Sequence, residues 1–446
     1  MTRRLTRRSV LAAGGTSALA ALAGCSNVPF VGGGSDSSLP DYDLASLTER
    51  VRDSRVETRQ VYPAPVPESL VETHRERAAS LFKSVPESPS FPNETVQTAV
   101  RHAYDHAADR LSDTDEVDAP ITLDDVGTWE YARDDAAAAA YAYRAASGDF
   151  DAADAAQWRR RVADDYRTER SERPYRGETV LDALVVAAEL ESRLETASRW
   201  LRPNEAFPEN PETAPERASD VAEDIERADA GVTTVRALRE AQSAEELPDH
   251  WSAIADAAGR LDEVYRETVA EAAPLLEEYS RDDLEPNEVF DTDVSNATVA
   301  HNLFEAAVPD PDIENAKSAL ARSDYAVAVR EYTQALLGTL VVARSADAIR
   351  NGEHGTPPDV AAVRDARETA VDAVRGLESE RGGLLTEQLA AGLWRHIDYR
   401  DRGLLSEHVH DRSVVRAAGG YAYVAYAAEQ VPAVADRVAR ELGVDD

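Results

Sequence analysis

The side chains able to do chemistry are few, and most stand alone. His102 and His106 are four residues apart, which puts both rings on one face of a helix, as two metal ligands must be. Asp105 and Asp109 sit beside them, but no third ligand is evident, and Ala103 stands where a metalloprotease motif needs Glu. The densest titratable stretch is Trp394 to Arg412, which holds His396, Asp398, Tyr399, Asp401, Glu407, His408 and His410. Glu407 and His410 have the i, i+3 spacing of carboxylate-bridged metal bundles, where a second such pair and two more glutamates are also required. A polar turn between helices is the simpler reading of this stretch. Asp291-Thr292-Asp293 opens like a calcium loop but lacks the central Gly, and Asn302 takes the place of the closing Glu. Asn93-Glu94-Thr95 and Asn296-Ala297-Thr298 fit the glycosylation sequon, so Asn93 and Asn296 are candidate acceptors. There is no P-loop, dinucleotide fingerprint or nucleophile elbow. Nothing implies a cofactor, and a catalytic role is not expected.

Cys25 is the one cysteine of 446 residues, which excludes a disulfide framework and a cysteine-built zinc site. It ends an apolar, uncharged run from Val10 to Gly24, too short to span a bilayer and suited to a signal core. Ahead of the run, Thr6-Arg7-Arg8-Ser9-Val10-Leu11 resembles the twin-arginine export signal, and Leu22-Ala23-Gly24-Cys25 resembles a lipobox. The resemblance implies export directed by Arg7 and Arg8, cleavage before Cys25, and lipidation of its thiol. It covers residues 1–25 only. Two acyl chains at about 0.8 kcal/mol per buried CH₂ would hold the chain on the membrane. Residues 26–40, rich in Gly and Ser, read as a tether with a reach of roughly 20–25 Å.

The chain carries 84 acidic and 48 basic side chains, a net charge of −36, and only Lys83 and Lys317 are lysines. Without residues 1–24 the balance is 84 acids against 44 bases, 40 negative. Such a surface repels nucleic acid and anionic lipid. Its self-repulsion is screened in molar salt, where the Debye length is about 3 Å. The composition resembles that of haloarchaeal proteins.

Helical periodicity runs through the remainder. Trp251, Ile254, Ala255, Ala258, Leu261, Tyr265 and Val269 fall on one helical face, as do Tyr421, Val424, Ala428, Val431, Ala435, Val438 and Leu442. Gly443 is a stop signal, and Pro432 should bend the last helix or delay its start. Asn93, Ser323 and Thr356 read as helix caps. Leu181–Leu190 and Ala335–Ala343 are apolar nearly all round, which places them inside. The expected fold is all-α, about a dozen helices in an antiparallel array or bundle. The turns at Gly148–Ala153 and Arg322–Ala328 resemble the inter-helix turn of tetratricopeptide repeats, in which an aromatic docks on the preceding helix, although no 34-residue period joins them. Gly352-Glu353-His354 matches the first half of the imelysin-type Gly-x-His-x-x-Glu motif, but Pro357 stands in place of its Glu, so that site is not carried over.

The expected organisation is a cleaved signal (1–24), a lipidated tether (25–40) and helical regions 41–205 and 206–446, divided at the proline-rich loop Pro203–Pro215, or one continuous array. The expected role is that of a lipid-anchored extracytoplasmic surface protein, on the outer face of the cell membrane, with a non-catalytic interaction or scaffolding role. It would have an envelope protein partner and no nucleic acid. The alternatives are a metal- or small-ligand-binding lipoprotein of an uptake system, or an enzyme acting on envelope polymers. His102, His106, His396, Glu407, His408 and His410 are the metal or ligand candidates.

Overall fold

The computed structural model describes residues 43–444 except 59, 115–119, 203–206, 244–245, 280–289, 291–293, 296, 308–312, 380–382 and 407–408, with the side chains of 271–279 and 379 also set aside. Cys25, Arg7, Arg8, Asn296, Glu407 and His408 lie outside the described residues, as does Asp291–Asp293.

Fourteen α-helices are described: α1 (Leu44–Asp53), α2 (Glu68–Lys83), α3 (Glu94–Ser112), α4 (Leu123–Ala146), α5 (Ala152–Glu172), α6 (Val180–Leu201), α7 (Pro215–Ser243), α8 (Trp251–Tyr279), α9 (Val299–Ala307), α10 (Ile313–Ala321), α11 (Tyr325–Arg350), α12 (Val360–Ser379), α13 (Gly383–Leu405) and α14 (Asp411–Glu441). No strand is found among the described residues, so the fold is all-α.

Local chemistry sets the helix starts. Thr122 with Asp125 and Thr179 with Asp182 form reciprocal capping boxes, which satisfy backbone N–H groups that the first helical turn leaves unpaired. Asn93 caps α3 by accepting from the Thr95 and Val96 N–H groups. Two expected caps are displaced. Asp359, not Thr356, accepts from Ala362 N–H at 2.7 Å, so α12 starts later than Thr356-Pro357 suggests. Ser323 takes a left-handed φ of 61°, and Asp324 is the residue flanking α11. Pro432 does not delay α14, which runs unbroken from Asp411.

In the N-terminal half, α4 packs against α2, α3 and α7, and α7 also packs on α5 and α6. Ala136, Ala137, Ala139 and Ala140 are buried along α4, and their small side chains let neighbouring backbones come close. In the C-terminal half, α14 is the hub for α9, α11, α12 and α13. Gly419 makes this possible, since a Cβ there would stand 2.6 Å from Asn302 in α9. The described residues form one compact unit. A cut at 205/206 would part α7 from the helices it packs against.

α6 joins the halves, and this explains its all-round apolar sequence. Ala183, Leu184, Ala187 and Ala188 face the large C-terminal core, while Val186, Leu190 and Leu194 face the core shared by α2, α4 and α7. The seam is also clamped by charge. Arg170 and Arg173 donate to the carbonyl oxygens of Arg322 and Ser323 at 2.9 and 2.6 Å, and both pair with buried Asp324. Buried Glu191 accepts from Val327 N–H at 2.8 Å and from the Tyr175 hydroxyl. The tetratricopeptide likeness divides here. Phe150 meets Tyr141 of the preceding helix, whereas the Tyr325 ring meets Tyr175 and Trp251.

Candidate functional site: a cleft at the seam

A cleft of about 920 Å³ opens where α6, α11 and α13 meet the segment 60–62, with Tyr423 of α14 in its wall. Its volume lies within the range of small-molecule sites. Leu184, Val185 and Ala188 come from α6, and Ala335 and Leu337 from α11, so part of each all-round apolar run forms a wall of the cleft.

Most charges in the walls are already paired. Glu189 accepts from Arg193 at 2.6 Å and from Gln60 at 3.4 Å. Arg330 donates to Glu331 at 3.0 Å and to Ser192 at 2.9 Å. The Gln388 amide donates to the Val61 carbonyl and so ties the 60–62 segment to α13. The Tyr62 hydroxyl is buried without a partner, and burial together with nearby Glu189 pushes its pKa up.

The α13 wall differs. Arg395 and His396 have no hydrogen bond or ion pair among the described residues. The His396 ring lies 5.2 Å from that of Tyr423. The residue keeps exposed surface, and its pKa is lowered by desolvation of the ring against the walls, then by the guanidiniums of Arg400 and Arg395. Tyr399, 68 % exposed, stands at the rim.

A polar chain runs inward from Glu189. Arg193 also donates to Glu130 at 2.7 Å, and the Thr234 hydroxyl donates to the same carboxylate. His74, fully buried, contacts Thr234 Oγ1 at 3.0 Å and Arg133 at 3.3 Å. Arg133 reaches Glu226 and, at 2.6 Å, Asp229. Arg77 grips Glu226 at 2.9 and 2.8 Å and borders a small hollow of about 300 Å³ beside Tyr141 and Trp158. A buried ion network like this fixes geometry at a desolvation cost.

The histidine candidates separate. His102 and His106 are exposed on α3 with ring centroids 6.4 Å apart, and His106 faces Asp135 at 3.2 Å. Among the described residues no three His, Cys, Asp or Glu side chains are grouped to hold a metal. His410 caps α14, accepting from Ser413 N–H at 3.2 Å, while Glu407 and His408 lie outside the described residues. Of the candidates among the described residues, His396 lines the cleft and the others do not. The stretch read as a polar turn is helix α13 as far as Leu405. Its Asp401 is buried by Arg367 at 2.9 and 2.6 Å and by the Tyr421 hydroxyl at 2.6 Å. Exposed Asn93 uses its side-chain oxygen as the α3 cap. The sequence reading missed Tyr62, Glu189, Arg330, Arg395 and the His74 network. The visible signal for the network was charge at inward positions such as Arg133 and Glu226.

Residues 69–249 match the model of a domain of unknown function, DUF8262, and residues 251–440 match that of another, DUF8264. His250, between the two matched regions, donates its N–H to the Tyr175 carbonyl at 2.8 Å, and both regions contribute walls to the cleft. No curated protein and no solved structure matches the chain. No helix among the described residues is long and apolar enough to cross a membrane.

Proposed function

We propose that this chain is a lipid-anchored, outward-facing binding protein that holds a small ligand without transforming it. The observation that carries the reading is the cleft at the seam, walled by both matched regions, with its lining acids paired and, among the described residues, the Arg395 guanidinium unpaired on the α13 side. Binding is favoured over turnover because the lining acids Glu189 and Glu331 are held by Arg193 and Arg330, and no carboxylate orients His396. A general base needs a partner that fixes its tautomer and a reacting group within reach. Anchoring is supported by the Arg7-Arg8 signal, the Cys25 lipobox and the Gly/Ser tether. An envelope protein fits the same role as the acceptor to which an anchored binder passes its ligand.

The test is co-purification. The wild-type protein and Gly392→Phe are isolated at native salt, and the small molecules released on unfolding are compared by mass spectrometry. Gly392 lines the cleft, and the nearest atom to an added Cβ is the Arg395 guanidinium at 4.0 Å, so the variant fills the cleft without strain at its Cβ. A compound present at near-equal molar amount on the wild type and lost from the variant is expected. The absence of any enriched compound on the wild type contradicts the reading.

A further inference from the structure

The cleft is not chemically uniform. α13 presents Leu385, Leu389, Gly392, Arg395, His396 and Tyr399 to it, at steps of 4, 3, 3, 1 and 3 residues, which is one stripe of a helix. At 1.5 Å per residue the stripe runs about 21 Å. It begins in leucine and ends in a guanidinium, an imidazole and a phenol. Leu184, Val185 and Leu337 add apolar wall from the other helices.

The polar end is cationic in a protein that is otherwise strongly anionic. The charged groups acting on His396 are Arg400 and Arg395, with no carboxylate among them. Arg395 acts on Asp124, at the start of α4, without an ion-pair contact between them. Glu189 and Glu331 are occupied by other arginines. Arg395 is therefore the lining guanidinium left to receive a ligand. At molar salt, charge reaches only about 3 Å, so selection by Arg395 needs direct contact, which a planar guanidinium gives best to an oxyanion through paired hydrogen bonds.

Resting on the binding reading above, we infer that the cleft takes an amphiphile with an apolar body and one anionic head. The body lies along Leu385 and Leu389, and the head is a carboxylate or phosphate on Arg395 beside His396 and Tyr399.

The test is titration calorimetry of the full chain in molar potassium chloride with four probes sharing one tail: octanoate, octyl phosphate, octanol and octyltrimethylammonium. One anionic probe should bind at 1:1 at least ten times more tightly than octyltrimethylammonium, with octanol between them. Whichever anion binds more tightly identifies the head. Arg395→Gln, a change at an exposed position, should bring the anion down to the affinity of octanol and leave octanol unchanged. Gly392→Phe should abolish all binding with the helical circular dichroism intact. Equal binding of octanol and the anions overturns the anionic head while leaving a ligand-binding cleft. Preference for the cation, or indifference to Arg395→Gln, overturns it likewise. If none of the four binds, the amphiphile is wrong, and the binding reading then rests on the co-purification alone.

Discussion

His74 has no exposed surface, yet it is an ionisable group placed among two glutamates and two arginines. The Arg133 guanidinium can only donate, so His74 Nδ1 accepts, and Nε2 carries the proton toward Thr234 Oγ1. The imidazole is therefore neutral. Burial, helped by Arg133 and Arg193 and opposed by Glu130 and Glu226, pushes its pKa down to about 4. A histidine with a depressed folded-state pKa binds fewer protons folded than unfolded between pH 4 and pH 6.5, so its contribution to stability is lost as pH falls through that window. Between pH 7 and pH 5 the loss from this group is about 2 kcal/mol. Denaturant titrations at fixed molar salt should show wild type losing that much relative to His74→Gln, whose amide can still donate to Thr234. A difference that stays constant with pH would mean that His74 is not held neutral.

At the scale of elements, two glycines in helices make opposite predictions. Gly419 of α14 is met by the α9 backbone at 2.6 Å, whereas nothing lies within 4 Å of a Cβ at Gly259 of α8. Gly419→Ala should destabilise by about 1–3 kcal/mol through overpacking. Gly259→Ala should stabilise by about 0.5–1 kcal/mol through helix propensity. Urea midpoints of the two variants decide it, and equal effects would contradict the close crossing of α9 and α14. The sequence shows such helices well where one face alone is buried. Ile254, Ala258, Leu261 and Tyr265 of α8 are buried as the periodicity implies, and Trp251 at the end of that face is 49 % exposed. It is less informative where a helix serves two cores. The apolar run of α6 places it inside but does not show which residues face which half. Buried Asp401 reads in sequence like a solvated charge, because its partner Arg367 is 34 residues away. For this reason α13 resembles a polar turn until its packing is known.

At the scale of the whole molecule, the cleft was hidden because its walls come from segments near 60, 185, 335, 390 and 423, which no spacing rule connects. His396 was visible as one histidine in a charged stretch, and only the fold puts it beside Tyr423. The reverse holds for the address. Arg7, Arg8 and Cys25 were read from sequence alone, and the described body from residue 43 onward is an acidic helical array. On the proposed reading, that array works outside the cell, held by lipid, with its surface charge screened by salt. The measurement that bears on this most directly is fractionation of cells producing wild type or Cys25→Ser, with protease added to intact cells. Wild type should sit in the membrane fraction and be cut from outside, and Cys25→Ser should appear folded in the medium. Wild type recovered from the cytosol, or Cys25→Ser still held by the membrane, would contradict the anchored binding protein.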